Sequence, residues 1–366
     1  MNSKLTLFAL ASFCAIAIAQ PKDFRIINND AVIEKLGPRV VRSASPVDLV
    51  PAVRQAIELA RQTADPRYLG QAQALIGPLW NSPQASYEVA TLQANIEQSR
   101  HEFAQARKTL QLAIAKPSTS HAQAWLTLAT IERVQGNYKL SEIACKSINT
   151  LDAQFYAQAC LLETQSLQGQ WDASRKGYSA LLGQQLQPNQ QAWLLSLLAE
   201  NEERAGNAAA ALKHYALSLS LDNDGYTALA YADALLRKNQ AALALGTLQN
   251  QPDSDSVLIR RAQAYKIQGD PLHQRIAEEL NARFAAATQR EANNPGHARE
   301  QALHALFVQG NAQAALAFAQ NNLKLQREPL DWMIAIQSAK QLGLTSETVK
   351  LQKAAAQSGL KDVRLE

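Results

Sequence analysis

The residues with the clearest chemical potential are His297, Glu300 and His304, in the stretch HAREQALH. Spacings of 3, 4 and 7 place all three on one face of a helix, a geometry compatible with holding a metal ion or relaying a proton. A periplasmic enzyme or metal-handling protein centred on them is therefore one reading. Most such clusters, however, are hydrated polar faces, and the rest of the chain adds no chemistry. There is no C-x-x-C, H-x-x-x-H, G-x-S-x-G, Walker loop or dinucleotide fingerprint. The leading expectation is a chain that is not an enzyme and needs no cofactor or metal.

Charge and hydropathy say where such a chain works. Asn2, Ser3 and Lys4 precede an uncharged apolar run from Leu5 to Ala19, and Ala17-Ile18-Ala19 offers the small residues that a signal peptidase reads. About 15 apolar residues fall short of the roughly 20 that span a bilayer, so a cleaved leader is expected, with cleavage after Ala19. Cys14 follows Phe13, where lipid attachment wants a small side chain. No later stretch is apolar enough to span. Without Lys4 the balance is 35 Lys+Arg against 32 Asp+Glu, and no basic block is interleaved with aromatics. A nucleic-acid partner is not expected.

The remaining chain repeats itself. Glycines in VQGNY, LQGQW, RAGNA, IQGDP, VQGNA and QLGLT (Gly136, Gly169, Gly206, Gly269, Gly310 and Gly343), with Asn239 in RKNQA, mark breaks separated by 33, 37, 33, 30, 41 and 33 residues. Each break is flanked by stripes at helical spacing: Trp125, Leu128, Ala129 and Glu132 before Gly136, and Tyr138, Ser141, Cys145 and Ile148 after it. A period near 34 is that of a helix-turn-helix unit, which leaves one apolar surface for the next unit to cover. Weaker copies surround Arg100 and Asp65, giving about eight units with the first two degenerate. The long step after Gly269 predicts an extended helix near 272–292, carrying Leu272, Ile276, Leu280 and Phe284 at every fourth position. The organisation expected is a leader at 1–19, an irregular lead-in at 20–47, a repeat array at 48–360 and a short tail at 361–366. Cys145 would lie on a second helix and Cys160 on the next first helix. Both a disulfide in an oxidising compartment and two small buried side chains satisfy that placement.

Gly136 with Tyr138, Gly169 with Trp171 and Tyr178, and Gly206 with Ala211 and Tyr215 resemble the turn and post-turn positions of the tetratricopeptide-repeat family; Pro188 and Pro329 sit where its units often close. ADPRYLGQAQAL, HAQAWLTLATIERVQGNY and LKLQREP also resemble repeat proteins that bacteria export, which implies a periplasmic or extracellular place. The resemblance implies an all-α, right-handed superhelical solenoid whose first helices line a concave groove for a peptide or helix of a protein partner. Carried onto this chain, the groove positions are Arg133, Tyr156, Glu163, Trp193, Glu200, Glu203, Tyr226, Asp233, Arg237, Gln263, His297 and His304. Aromatics interleaved with both signs of charge suit peptide recognition. The lysine and asparagine that some members use to clamp a carboxylate terminus are absent.

Overall fold

Ala, Leu and Gln lose little rotamer freedom in a helix, and in a computed structural model describing residues 46–290 and 298–366 the described residues form helices joined by turns and short loops, without a strand. The expected leader lies outside the described residues, as does most of the lead-in. The described residues from Pro46 onward belong to one unit, and among them are eighteen α-helices in nine consecutive pairs. The pairs that matter for the site are α5 (Ala122–Val134) with α6 (Tyr138–Lys146), α7 (Gln154–Leu167) with α8 (Trp171–Leu182), α9 (Pro188–Arg204) with α10 (Ala208–Leu221), and α11 (Gly225–Arg237) with α12 (Ala241–Leu248). They are followed by α13 (Asp255–Gln268) with α14 (Leu272–Arg290), α15 (Ala298–Leu303) with α16 (Ala312–Asn322), and α17 (Pro329–Gln341) with α18 (Thr345–Gln357). The first two pairs are α1 (Pro46–Thr63) with α2 (Arg67–Leu75) and α3 (Tyr87–Ser99) with α4 (Phe103–Ile114).

Nine pairs correct the count of eight. The turns after α1 and α3 use Ala64 and His101 in the left-handed conformation that glycine or asparagine adopts in the other seven, so no glycine betrays them. Eight of the nine turns close on the helix before them. Asn137 N–H donates to Glu132 O, Gln170 to Gln165 and Asn207 to Glu202, all five residues back, satisfying carbonyls that the helix end leaves open. Asn311 reaches six residues back, to Ala305, because α15 continues through a widened π-helical stretch over His304–Gln309. Starts are capped as well: Ser86, Asp224, Ser254 and Asn311 each accept a backbone N–H, and Pro188 and Pro329 open α9 and α17.

Within the stack, the aromatic that follows a turn becomes the bolt of its unit. Tyr178 and Tyr215 are fully buried among the leucines and alanines of the neighbouring pair, a burial that stabilises by about 2 kcal/mol each. Glu132, the one charged member of its apolar stripe, is also buried. It takes Arg107 Nε at 2.6 Å and Asn137 Nδ2 at 2.8 Å. Glu202 repeats the arrangement two pairs on, with Arg175 Nε at 2.6 Å and Asn207 Nδ2 at 2.7 Å. The carboxylate thus ties the turn to the second helix of the preceding unit, and each asparagine bonds its glutamate twice, side chain to carboxylate and backbone N–H to backbone carbonyl. These contacts hold Glu202 below the usual carboxylate range although burial works the other way.

The C-terminal residues do not form a separate tail. The loop after α16 and the segment beyond α18 pack on the turns of earlier units: Arg327 N–H donates to Val134 O at 2.7 Å, and Lys361 N–H to Leu167 O at 2.8 Å. Leu360 and Leu365 are buried in the same cluster as Tyr138 and Leu167. Two glycines make room for this. A Cβ on Gly169 would stand 3.0 Å from Lys361 Cβ, and one on Gly206 would stand 3.3 Å from Val363 Cγ2.

Candidate functional site

Inward-facing positions recur on successive first helices. Trp193 and Glu200 are seven residues apart on α9, as are Tyr226 and Asp233 on α11, so equivalent side chains stack along one wall. That wall encloses a cavity of about 640 Å³. Eight of the twelve predicted groove residues line it: Arg133, Glu163, Trp193, Glu200, Glu203, Tyr226, Asp233 and Arg237.

Of the other four, the three described ones do not. Tyr156 lies behind Trp193, their ring centres 5.9 Å apart, with Gln190 Nε2 on its hydroxyl at 3.2 Å. Gln263 is half-buried on α13 away from the cavity. His297 lies outside the described residues. His304 is in the core beside Phe284, and its Nε2 faces Asn281 Oδ1 at 3.0 Å. Glu300 does line the cavity, where it accepts from Ser256 Oγ at 3.1 Å. The triad spacing assumed regular α-helical rotation through His304. His304, at the start of the widened stretch, joins the core, while Glu300, one turn earlier, stays on the wall.

Ion pairs stitch neighbouring first helices across the wall. Arg133 meets Glu163 at 2.8 Å and Arg260 meets Asp233 at 2.7 Å; Arg237 meets Glu203; Arg299 meets Glu328 at 2.5 Å and Asp331 at 2.6 Å. Burial pushes the carboxyl groups of Glu163 and Asp331 above their usual range, against the pull of Arg133 and Arg299. Tyr226 is 59% exposed inside the cavity, its hydroxyl 2.7 Å from Glu200 Oε1. The Glu200 charge beside the hydroxyl holds that phenol well above its ordinary value.

Sequence reasoning missed the buried arginine at the cavity floor. Arg204 is 2% exposed and lies one turn beyond Glu200, whose Oε2 its Nη1 meets at 3.2 Å; its Nε donates to Ser166 Oγ at 3.1 Å. Burial opposes its charge, yet Glu200 and the other acidic groups nearby outweigh that and raise its pKa. The four-residue offset from Glu200 was the available signal. Arg364, from the C-terminal segment, also lines the cavity and had no sequence signal at all. Away from the cavity, Cys145 and Cys160 are joined by a disulfide between α6 and α7, with Cα atoms 5.7 Å apart. It braces the wall from behind: Arg133 Nη1 lies 3.7 Å from Cys160 Sγ.

No family model and no curated protein matches this chain. Among solved structures it is similar to a Rap protein complexed with competence and sporulation factor, at 12% identity over 86% of this chain and 100% of that one, with a TM-score of 0.49. It is also similar to the APC/C hetero-tetramer Cut9–Hcn1, at 12% identity over 86% of this chain and 74% of that one, TM-score 0.30. A further likeness is to the P58(IPK) TPR domain, at 14% identity over 87% and 95%, TM-score 0.25. The repeat architecture stands on this chain's own helices, turns and caps.

Proposed function

We propose that this chain is a non-enzymatic binding protein of the bacterial envelope that receives a short segment of a protein partner in its concave cavity. The observation that carries this reading is the wall itself: Trp193 and Tyr226 stand between Arg133, Glu163, Glu200, Asp233 and Arg237 around one space of about 640 Å³, within the 300–1,000 Å³ range typical of ligand sites. An extended peptide satisfies such a wall, since its backbone offers donors and acceptors to both signs of charge. An exported location is supported by the leader-like start and by a chain that pairs its two later cysteines. No helix among the described residues is long and apolar enough to cross a membrane.

In-cell photo-crosslinking tests both parts. A photo-reactive residue at Tyr226, inside the cavity, should capture a specific envelope protein, while one at Leu151, 84% exposed, should not. Equal capture from both positions would dismiss the cavity as the binding surface, and N-terminal sequencing of the secreted fraction would show whether cleavage follows Ala19.

A further inference from the structure

We propose that the cavity floor is a subsite for a free carboxylate, held by Arg204 and Tyr138; this rests on the binding reading above and names the chemistry of what is bound. Arg204 and Tyr138 both line the cavity and are 2% and 3% exposed. Arg204 Nη2 and the Tyr138 hydroxyl have no hydrogen-bond partner. A buried N–H or O–H left unpaired costs about 1–3 kcal/mol, and native proteins carry few of them. Two on one cavity wall point to an acceptor supplied from outside the chain.

The neighbouring carboxylates do not fill that role. Glu200 already serves Arg204 Nη1 and the Tyr226 hydroxyl. Glu203 serves Arg237, the Tyr215 hydroxyl and Arg364. Glu163 serves Arg133. What remains unmet at the floor is demand for an acceptor, and a planar two-oxygen carboxylate suits a guanidinium N–H and a phenol that line the same space. A phosphate dianion fits less well, because acidic side chains, Asp222, Asp224 and Glu300 among them, also line the space. Those carboxylates favour a ligand whose negative end is accompanied by an ammonium or by amide N–H groups. An amino acid and a peptide C-terminus share that chemistry.

The test uses the full mature chain and native mass spectrometry with three probes: a mixture of free amino acids, an equimolar tripeptide library, and the same library amidated at the C-terminus. Free-carboxylate forms should bind at least about tenfold more tightly than amidated ones, the scale of a charge-assisted hydrogen bond. Retention of amino acids alone identifies the small molecule as the source, and retention of tripeptides alone identifies a chain end. Tyr138→Phe should weaken the free forms about fivefold or more and leave residual binding of the amidated library unchanged. Equal binding of free and amidated tripeptides overturns the carboxylate subsite while the binding cavity stands. Binding by no probe, with crosslinking at Tyr226 still capturing a protein, also overturns the subsite; loss of both overturns the binding reading with it. The amidation comparison needs no variant, so a Tyr138→Phe chain that fails to fold leaves the result decided.

Discussion

Arg364 Nη1 lies 2.9 Å from Glu203 Oε2, joining the last residues of the chain to the end of α9. The same guanidinium is held by Asp362, whose carboxylate is fully buried, through Arg364 Nε at 2.8 Å. Lys361 N–H on Leu167 O, and Lys340 Nζ on the Glu366 carbonyl at 2.6 Å, fix the segment on either side. A solenoid open along its concave side is here drawn together, because the residues after α18 bridge from their own unit to the turns after α7 and α9. The cavity is bounded by that bridge.

Removing residues 361–366 should therefore loosen the array without unfolding its helices. We expect an increased radius of gyration in small-angle scattering and an unchanged far-ultraviolet spectrum. Arg364→Ala alone should cost about 2 kcal/mol, the scale of a partly buried charge-assisted pair, read from urea unfolding. A truncated chain with unaltered scattering would mean that the bridge does not set the curvature.

The disulfide is a second brace, placed between consecutive pairs. Closing a loop of 15 residues restricts the unfolded chain enough to stabilise the fold by about 3 kcal/mol. Reduction, or Cys145→Ser with Cys160→Ser, should lower the urea midpoint accordingly, and the double variant should no longer respond to reductant. Non-reducing peptide mapping would show the bond directly.

Much of this architecture can be read from spacing because each unit carries its own punctuation. Gly136, Gly169 and Gly206 mark turns since a left-handed residue is needed there, and seven-residue offsets place Trp193 with Glu200 and Tyr226 with Asp233 on one wall. Ala64 and His101 adopt the same conformation without a residue type that announces it, so the first two units blur. The partner of Arg260 is on the preceding first helix and that of Arg299 on the next, 27 and 32 residues away. A single helix pattern therefore shows neither as part of the wall. Gly206 and Val363 meet only after several units have stacked and curved. No local periodicity encodes that contact.

Acid should destabilise the chain through His304. Burial holds its imidazole below the ordinary value of 6.5, so the folded state keeps it neutral while the unfolded state takes up a proton below that pH. The stability it contributes is present above about 6.5 and is lost as pH falls from there toward its folded pKa. His214 is depressed in the same direction, again by burial first. Melting temperatures measured from pH 7.5 downward should fall, and His304→Gln should flatten the slope. An identical slope in that variant would assign the acid sensitivity elsewhere.

Glu200 shows why the wall must be probed by conservative changes. Its Oε2 faces Arg204 and its Oε1 accepts from Tyr226, so Glu200→Ala removes a surface that a ligand would touch and also leaves a 2% exposed guanidinium without its counter-charge. Stranding a buried charge costs about 3 kcal/mol or more, and the urea midpoint of Glu200→Ala should fall by that amount. Glu200→Gln keeps a carbonyl acceptor and should cost about 1 kcal/mol. Asp233→Ala strands Arg260 in the same way, since Asp233 accepts from both Nε at 2.8 Å and Nη2 at 2.7 Å. Loss of partner capture in either alanine variant would mix binding with stability. Tyr226→Phe separates them: it removes one hydroxyl from the cavity and leaves the Glu200–Arg204 pair in place. Equal unfolding midpoints for Glu200→Ala and Glu200→Gln would mean that Arg204 finds another partner, and the unmet demand at the cavity floor would then be smaller than its geometry indicates.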